Sequence, residues 1–194
     1  DERLLDSWIR IDPNNSVTVF TGKAELGQGI RTALLQVAAE ELEVDPAEIR
    51  LITADTGRTP NEGFTAGSQS MQNSGTAIRN AAAQVRALLL AEAARRFGMA
   101  ATELRAENKA VLAKDGRRAT YGELVSGQML HVEAQPQSAL KPPGTFRVIG
   151  KTLPRVDIPG KVTGEAAYVH DLRLEGMLHA RVVRPPSPAA RLSE

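Results

Sequence analysis

The sequence changes its hydrophobic period at Gly27-Gln28-Gly29, and this change constrains the fold more than any other feature. Before it, the β-prone runs 8–11 and 17–20 flank a Pro-Asn-Asn turn signal, which predicts a β-hairpin. After it, apolar residues recur at helical spacing as far as Pro46, and residues 49–53 predict the next strand. The apolar residues of this helix are Ile30, Leu34, Val37, Ala38 and Leu42, whereas Glu40, Glu41 and Glu43 are expected to face mostly away from the core. A strand, a glycine turn, a helix and a further strand together indicate an α/β fold.

The middle of the chain predicts one long loop, followed by two more helices and a hairpin. The loop, 55–75, is rich in Thr, Gly, Asn and Ser, and loops of this length in compact domains are usually functional or mobile. The longest predicted helix, 74–97, follows it, with Gly98 as the expected C-cap. The segment 102–130 predicts a short helical turn, a hairpin at Asp115-Gly116 and a further helix.

Prolines mark a boundary in the second half of the chain, where 135–150 is expected to be a connector. The segments 147–155 and 161–183 predict new strands. We therefore expect residues 1–134 to form part of one domain and 151–194 to begin a second domain that is incomplete. The expected fold class is α/β (α+β, a mixed sheet with packed helices).

Composition excludes several kinds of site and partner. The chain has 24 Lys and Arg against 23 Asp and Glu, a net charge of +1, so nothing indicates nucleic acid or an anionic membrane as a partner. The absence of cysteine excludes disulfides, thiolate nucleophiles and Cys-ligated zinc or iron–sulfur sites in these residues. No apolar run reaches about 18 residues, so no transmembrane helix is expected. His131, His170 and His179 lack the spacing of paired metal ligands, and no carboxylate pair stands out for acid–base chemistry.

The first candidate site is the Gly27-Gln28-Gly29 turn at the start of the predicted helix. The first N–H groups of a helix lack partners within the helix and carry a partial positive charge. Glycines allow a phosphate or pyrophosphate to approach these groups closely, and the amide of Gln28 adds a donor and an acceptor. The turn therefore predicts a backbone site for an anionic cofactor. The alternative is a plain strand-to-helix turn, because short glycine motifs are weak signals.

The second candidate site is a hydroxyl-rich stretch of the long loop. It reads Thr65-Ala66-Gly67-Ser68-Gln69-Ser70, with three hydroxyl groups among small residues. Such a loop can surround a polar ligand with N–H and O–H donors, or it can simply be solvated. Both stretches follow strands that are expected to be neighbours, at the edge where α/β sheets bind ligands, and this position favours a binding site.

The two stretches resemble motifs of the molybdenum hydroxylase family, which includes xanthine dehydrogenases and aldehyde oxidases. Residues 25–29 are similar to the family's Glu-Met-Gly-Gln-Gly motif, with leucine in place of methionine. Residues 65–70 are similar to its Thr-Gly-Gly-Ser-x-Ser loop, with alanine in place of a glycine. Independently, 154–157, 161–164 and 176–178 resemble the opening of the α/β-hammerhead domain. Because this opening follows the glycine motif, the chain resembles large (beta) subunits of the isoquinoline 1-oxidoreductase type.

The resemblance implies a function for both loops. Large subunits of the family bind a molybdopterin, in bacteria usually as the cytosine dinucleotide, and hydroxylate an N-heterocycle or an aldehyde. By position, Gly27, Gln28 and Gly29 would hold the pterin–phosphate part, and the phosphates and nucleotide would contact Thr65, Ala66, Gly67, Ser68 and Ser70. Electrons would leave through iron–sulfur (2Fe–2S) clusters on a small partner subunit. The resemblance implies no metal ligand or catalytic residue here, because the pterin dithiolene holds the metal and the base glutamate of the family lies far beyond Glu194.

The same resemblance implies that the chain is an N-terminal piece that turns over no substrate by itself, with an incomplete hammerhead from residue 151. Members of this subgroup are often periplasmic or membrane-associated, and a cytoplasmic location is the alternative. Two other hypotheses remain open. One is a stand-alone module that binds a nucleotide or phosphate ester without redox chemistry, and the other is a scaffold that docks an iron–sulfur partner. A parent reading frame of several hundred residues would favour the enzyme, and a stop codon after Glu194 would favour the module.

Overall fold

The structure, a computed structural model, describes residues 3–125, 129–166 and 168–191, and its chain divides into two units, Asp1–Ile158 and Pro159–Glu194. Its strands are β1 (Ile9–Ile11), β2 (Val17–Thr21), β3 (Ile49–Thr53), β4 (Leu104–Glu107), β5 (Ala110–Ala113) and β6 (Arg118–Thr120). Its α-helices are α1 (Ile30–Leu42), α2 (Thr76–Phe97), α3 (Tyr121–Leu124) and α4 (Ile158–Thr163). Short 3₁₀ turns lie at Leu5–Ser7, Pro46–Glu48, Ala101–Glu103, Pro143–Thr145 and Val169–Asp171. A π-helical turn, Met71–Gly75, leads directly into α2.

A mixed three-stranded sheet in the order β1-β2-β3 organises the first unit. The predicted hairpin of β1 and β2 is confirmed, with Asn15 in the left-handed region of its turn at φ 66°. Helix α1 then crosses to β3, which runs parallel to β2 and places Val17 opposite Ile49 and Thr21 opposite Thr53. Every residue of β2 is buried, as expected of a central strand covered on both faces. The α/β prediction is therefore confirmed.

Helix α2 packs on α1 and reaches a second, antiparallel sheet in the order β4-β5-β6. Ala81 and Ala82 are buried on α2, and small side chains there allow the two helices to approach closely. Gly98 ends α2 in the left-handed region at φ 64°, as predicted, and its amide donates to the Ala94 carbonyl oxygen. The predicted hairpin at Asp115-Gly116 is confirmed as the turn between β5 and β6.

Glu41 faces the core, so the expectation that the glutamates of α1 face away from it is wrong here. Its side chain is fully buried and accepts a bond from Arg79 Nε at 3.0 Å and one from Arg86 Nη1 at 2.7 Å. Its two oxygens also lie 3.2 and 3.1 Å from the amide nitrogen of Lys141. The carboxylate is tolerated because three groups from two other segments satisfy it.

Glu40 is buried as well. The strand predicted over 147–155 is absent from the structure, and Glu40 explains this for its first three residues. One of its oxygens lies 2.5 Å from Lys141 Nζ. The other accepts the amides of Arg147, Val148 and Ile149 at 2.9, 2.7 and 3.0 Å. These amides donate to a carboxylate and not to a neighbouring strand, so no ladder forms. Residues 141–149 of the predicted connector therefore lie bonded to α1, and the domain limits at 134 and 150 stay a prediction.

The strand predicted over 161–183 is also wrong for the described residues of the second unit. Lys161 to Thr163 lie in α4, and Val169–Asp171 form a 3₁₀ turn. Apolar side chains such as Val162 and Leu178 are 75% and 92% exposed. A strand needs a partner strand for its backbone groups and an apolar surface for its side chains, and the described residues of this unit provide neither.

Tyr121→Phe is expected to lower the free energy of unfolding of the first unit by about 1 kcal/mol. The Tyr121 ring is fully buried and its hydroxyl donates to the Leu42 carbonyl oxygen at 2.7 Å, at the end of α1. Phenylalanine keeps the packing but leaves that carbonyl without its donor. Urea unfolding followed by the fluorescence of Trp8 measures the change, because Trp8 is the single tryptophan and packs against the core. Tyr168→Phe is the matched control, since Tyr168 is 53% exposed, and an equal loss there would contradict the explanation.

Candidate cofactor-binding site

The two predicted loops lie together because the long loop is bonded to the chain that leaves β2. The Thr21 hydroxyl and the Gly22 amide donate to Glu62 Oε2 at 2.6 and 2.7 Å. Lys23 is 4% exposed, and its Nζ donates to the carbonyl oxygens of Glu62 and Phe64 at 2.5 and 3.1 Å. The parallel pairing of β2 with β3 places both strand ends at one edge of the sheet, and these bonds hold the start of the long loop there.

One cavity of about 420 Å³ lies between the two loops. The Ala24 amide donates to Thr65 Oγ1 at 2.9 Å and closes one side of it. The lining residues are Leu26, Gln28, Ile30, Thr65, Ala66, Gly67, Ser68, Ser70 and Met71. The structure thus brings Gln28 and the second predicted stretch, except for Gln69, into one cavity. Gly27 and Gly29 shape the turn beside it and do not line it.

The amides of the glycine turn are already bonded to a side chain of the turn itself. Glu25 Oε1 accepts the amides of Gly27 and Gly29 at 2.8 and 2.9 Å, and its Oε2 accepts the amide of Arg31 at 3.1 Å. Gly27 and Gly29 have φ of 105° and 84°, a region that disfavours other residues, so the turn depends on glycine. The carboxylate of Glu25 therefore occupies the place that the sequence predicted for an anionic ligand.

Burial raises the pKa of Glu25, but the hydrogen bonds from the three backbone amides together lower it by more. The pKa of Glu25 therefore lies below its ordinary value. Glu25 is thus ionised at neutral pH and neutralises the positive end of α1. Gln28 closes the same turn with its amide, because Nε2 donates to the Ala24 carbonyl oxygen at 2.9 Å and Oε1 accepts the Leu26 amide at 2.6 Å. Gln28 is exposed and lines the cavity, and the hydrogen bonds of its side-chain amide hold the loop.

The hydroxyl-rich stretch forms a tight turn, and a long helix follows it. Gly67 and Ser68 have φ of 65° and 57°, and the Gln69 amide donates to the Ala66 carbonyl oxygen at 3.4 Å. Two successive positive φ angles are typical of a type I′ turn, and a serine in this region is uncommon. Ala66, Gly67 and Ser68 are exposed, so their backbone groups are accessible from the cavity.

The start of the helix at Ser70 differs from the start of α1. The Ser70 side chain makes no cap bond, whereas the Glu25 carboxylate accepts the amides of Gly29 and Arg31 at the start of α1. Its first turn, Met71–Gly75, is π-helical, and such turns are frequent at functional sites. A Cβ on Gly75 would lie 2.5 Å from Met71 Sδ, so a larger residue there would make the flexible Met71 side chain move. The uncapped amides and the partial positive charge of this helix lie at the cavity wall formed by Ser70 and Met71. An anion therefore has a better place here than at the Gly27-Gln28-Gly29 turn.

Glu25 and Arg155 take part in this site although neither is among the residues that the sequence predicts to bind the cofactor. Residues 154–157 were expected in a second domain, yet Arg155 Nη1 donates to the Gly27 carbonyl oxygen at 2.8 Å. The signal for Glu25 was present in the motif, because a carboxylate two, four and six residues before the amides of a glycine turn can fold back as its cap. No local signal connects Arg155 to a turn 128 residues earlier.

Within the described residues, no group of three or more His, Cys, Asp or Glu side chains is arranged to hold a metal ion. The helices found in that part of the chain are also too short or too polar to cross a bilayer.

The chain belongs to the molybdopterin cofactor-binding domain family, whose sequence model matches residues 4–158. A nicotinate dehydrogenase subunit of Pseudomonas putida is 43% identical over 185 residues, which are 95% of this chain and 16% of that protein. The beta subunit of isoquinoline 1-oxidoreductase from Brevundimonas diminuta is 34% identical, over 92% of this chain and 28% of that protein. The chain thus spans less than a third of the length of either relative. The resemblance to the molybdenum hydroxylases is confirmed.

Solved structures agree with this assignment. CO dehydrogenase from Oligotropha carboxidovorans has a TM-score of 0.53 and 29% identity, over 60% of this chain and 15% of that chain. Quinoline 2-oxidoreductase from Pseudomonas putida 86 has a TM-score of 0.50 and 30% identity, with the same two coverages of 60% and 15%.

Proposed function

We propose that this chain supplies two loops of the molybdopterin site in the large subunit of a molybdenum-dependent oxidoreductase. The observation that carries the proposal is the cavity that Gln28 shares with residues 65–68 and Ser70, in a chain of the molybdopterin cofactor-binding domain family. The proposed substrate is an N-heterocycle, with an aldehyde as the second candidate. The names of the relatives support this order, because they include a nicotinate dehydrogenase, an isoquinoline 1-oxidoreductase and aldehyde oxidases. None of these relatives supports a stand-alone nucleotide-binding module.

The residues present fit a molybdopterin in chemistry. Its phosphates would lie against Thr65, Ala66, Gly67, Ser68 and Ser70, where hydroxyls and the uncapped helix start provide donors. Its flat ring system suits the apolar wall formed by Leu26, Ile30 and Met71. Gln28 would contact the pterin–phosphate part, while Gly27 and Gly29 give the turn its shape.

When bound, the cofactor supplies the metal centre at which the substrate is oxidised. The chain's own residues bind and orient it: the bonds of Lys23 and Glu62 hold the long loop in place, and Leu26 and Met71 cover its apolar part. We propose the cytosine dinucleotide form and an iron–sulfur small subunit that receives the electrons. We also propose that these 194 residues alone turn over no substrate, because the base glutamate of the family is expected outside them.

The double variant Ser68→Ala and Ser70→Ala in the full-length protein is expected to lose most of its molybdenum. Each hydrogen bond to a charged phosphate contributes about 1.5–3 kcal/mol, so two lost bonds weaken binding by at least about a hundredfold. Molybdenum is measured by elemental analysis, and the nucleotide is measured as CMP released by acid hydrolysis. In the wild type, both are expected in equal amounts.

Ser187→Ala is the matched control, because Ser187 is exposed and lies in the second unit. It should keep the wild-type content of molybdenum and CMP. Full molybdenum in the double variant would refute the placement of the phosphates. Equimolar molybdenum with AMP or GMP in place of CMP would refute only the cytosine form.

A further inference from the structure

The segment 154–157 lies against the start of α1, although Val156 and its partner Thr32 are 124 residues apart in sequence. The Val156 amide donates to Thr32 Oγ1 at 3.0 Å, on the first turn of the helix. Asp157 follows and is 6% exposed. A carboxylate that is buried beside the start of a helix is stabilised by a cation, and Arg155 supplies one.

The guanidinium of Arg155 joins three groups. It makes a two-point bond to Asp157, from Nε to Oδ1 at 3.0 Å and from Nη2 to Oδ2 at 2.7 Å. Its Nη1 donates to the Gly27 carbonyl oxygen at 2.8 Å, and its Nη2 lies 3.4 Å from Glu25 Oε1. A planar guanidinium can satisfy these directions together, whereas a lysine ammonium cannot reach all of them.

The same oxygen of Glu25 that approaches Arg155 also accepts the amides of Gly27 and Gly29. Asp157 tends to raise the pKa of Glu25, because the two carboxylates repel each other. Arg155 lies between them and favours the ionised form of both. Without it, Glu25 would lose a positive neighbour and keep a negative one, and the turn would lose its bond at Gly27.

We infer that Arg155 and Asp157 are positioning residues for the loop 25–29. They hold the Glu25 carboxylate on the amides of the turn, so that the start of α1 is closed to anions and Gln28 is presented to the cavity in one conformation. Anionic groups are thereby directed to residues 65–70. This inference rests on the proposed function only for the statement that the loop contacts the cofactor.

Hydrogen–deuterium exchange of peptides covering 24–31 tests the inference in the full-length protein, produced in a host that cannot make the cofactor. Arg155→Gln is expected to raise the exchange of these amides about tenfold or more, because the amides of Gly27, Gly29 and Arg31 lose a firmly held acceptor. Arg155→Lys should give an intermediate rate, since it keeps the charge near Asp157 but cannot also hold the Gly27 carbonyl. Asp157→Asn is a second variant in case Arg155→Gln does not fold, and it should accelerate the same peptides.

Arg117→Gln is the matched control, because Arg117 also forms a two-point pair with an aspartate two residues away, Asp115, but far from the loop in sequence. It should leave 24–31 unchanged. Wild-type exchange of 24–31 in both Arg155→Gln and Asp157→Asn would overturn the inference, and so would equal acceleration over the strands β1 to β3. Since the cofactor is absent from this measurement, a failure of the proposed function shows separately, as unchanged molybdenum content in the double serine variant.

Discussion

Glu41→Ala is expected to lower the free energy of unfolding of the first unit by about 3–5 kcal/mol, the usual cost of removing one partner from a buried ion pair. The side chain of Glu41 is fully buried, and those of Arg79 and Arg86 are 28% and 14% exposed. Without the carboxylate, two guanidiniums with limited exposure to water lose their shared counter-charge. The Lys141 amide also loses its acceptor. Urea unfolding followed by Trp8 fluorescence gives the difference at neutral pH.

Glu41→Gln separates the loss of charge from the loss of volume. The glutamine side chain fills the site and keeps one acceptor oxygen, but it leaves both guanidiniums without a counter-charge. We expect most of the loss to persist in this variant. Glu107→Ala is the control, because the pair of Glu107 with Arg105 is exposed at 48% and 62%, and such pairs contribute about 0.2–1 kcal/mol. Equal losses for Glu41→Ala and Glu107→Ala would show that burial of the pair is unimportant.

Acid is expected to release the segment 141–149 from α1 through the protonation of Glu40. Burial raises the pKa of Glu40, but the bond from Lys141 and three backbone amides lower it more, so its pKa lies below the ordinary value. A carboxyl whose pKa is lower in the folded state stabilises the fold fully above its unfolded pKa, about 4.3. That stabilisation is lost as the pH falls below this value and through the folded pKa.

Glu40→Gln imitates the protonated acid and therefore tests this linkage. At pH 7 the free energy of unfolding of the variant is expected to be about 2 kcal/mol lower than that of the wild type, because hydrogen bonds to a charged acceptor become hydrogen bonds to a neutral one. The difference should shrink towards zero as the pH falls below about 4. Lys141, Glu43 and Arg147 are the other charged groups at this site, and Lys141 Nζ keeps its contact with Glu43 at 2.7 Å. A difference that stays constant from pH 7 to acid would sink the explanation.

Local patterns predicted the elements whose residues interact mainly with near neighbours in sequence. The hairpin of β1 and β2, the helices α1 and α2 and the end of α2 at Gly98 follow from hydrophobic periods and from turn residues. The expectation that β2 and β3 are neighbours also led to the correct prediction that both loops meet at one edge of the sheet. The binding functions of Gln28 and of residues 65–70 remain proposals.

Local patterns failed where a polar group finds its partner far away in sequence. A glutamate on a helix is ordinarily solvated, so the pattern of α1 gave no reason to bury Glu40 and Glu41. The partners of Glu40, Lys141 and the amides of 147–149, lie about a hundred residues further along the chain, which a period cannot show. Those of Glu41, Arg79 and Arg86, lie 38 and 45 residues further along. The strand predicted over 147–155 failed at its first three residues for the same reason, since their amides were taken by a carboxylate.

The Gly27-Gln28-Gly29 turn combines a local and a tertiary contribution. The sequence by itself determined that a glycine turn starts α1 beside a parallel strand, because only glycine accepts the positive φ angles of this turn and because the hydrophobic period changes there. Only the tertiary structure decided which groups the turn offers to a ligand. A hydrogen-bond donor pairs with the acceptor that is nearest in space, which can be far away in sequence. Here Glu25 and Arg155 bond to the groups of the turn, whereas the start of the helix at Ser70 stays open to the cavity.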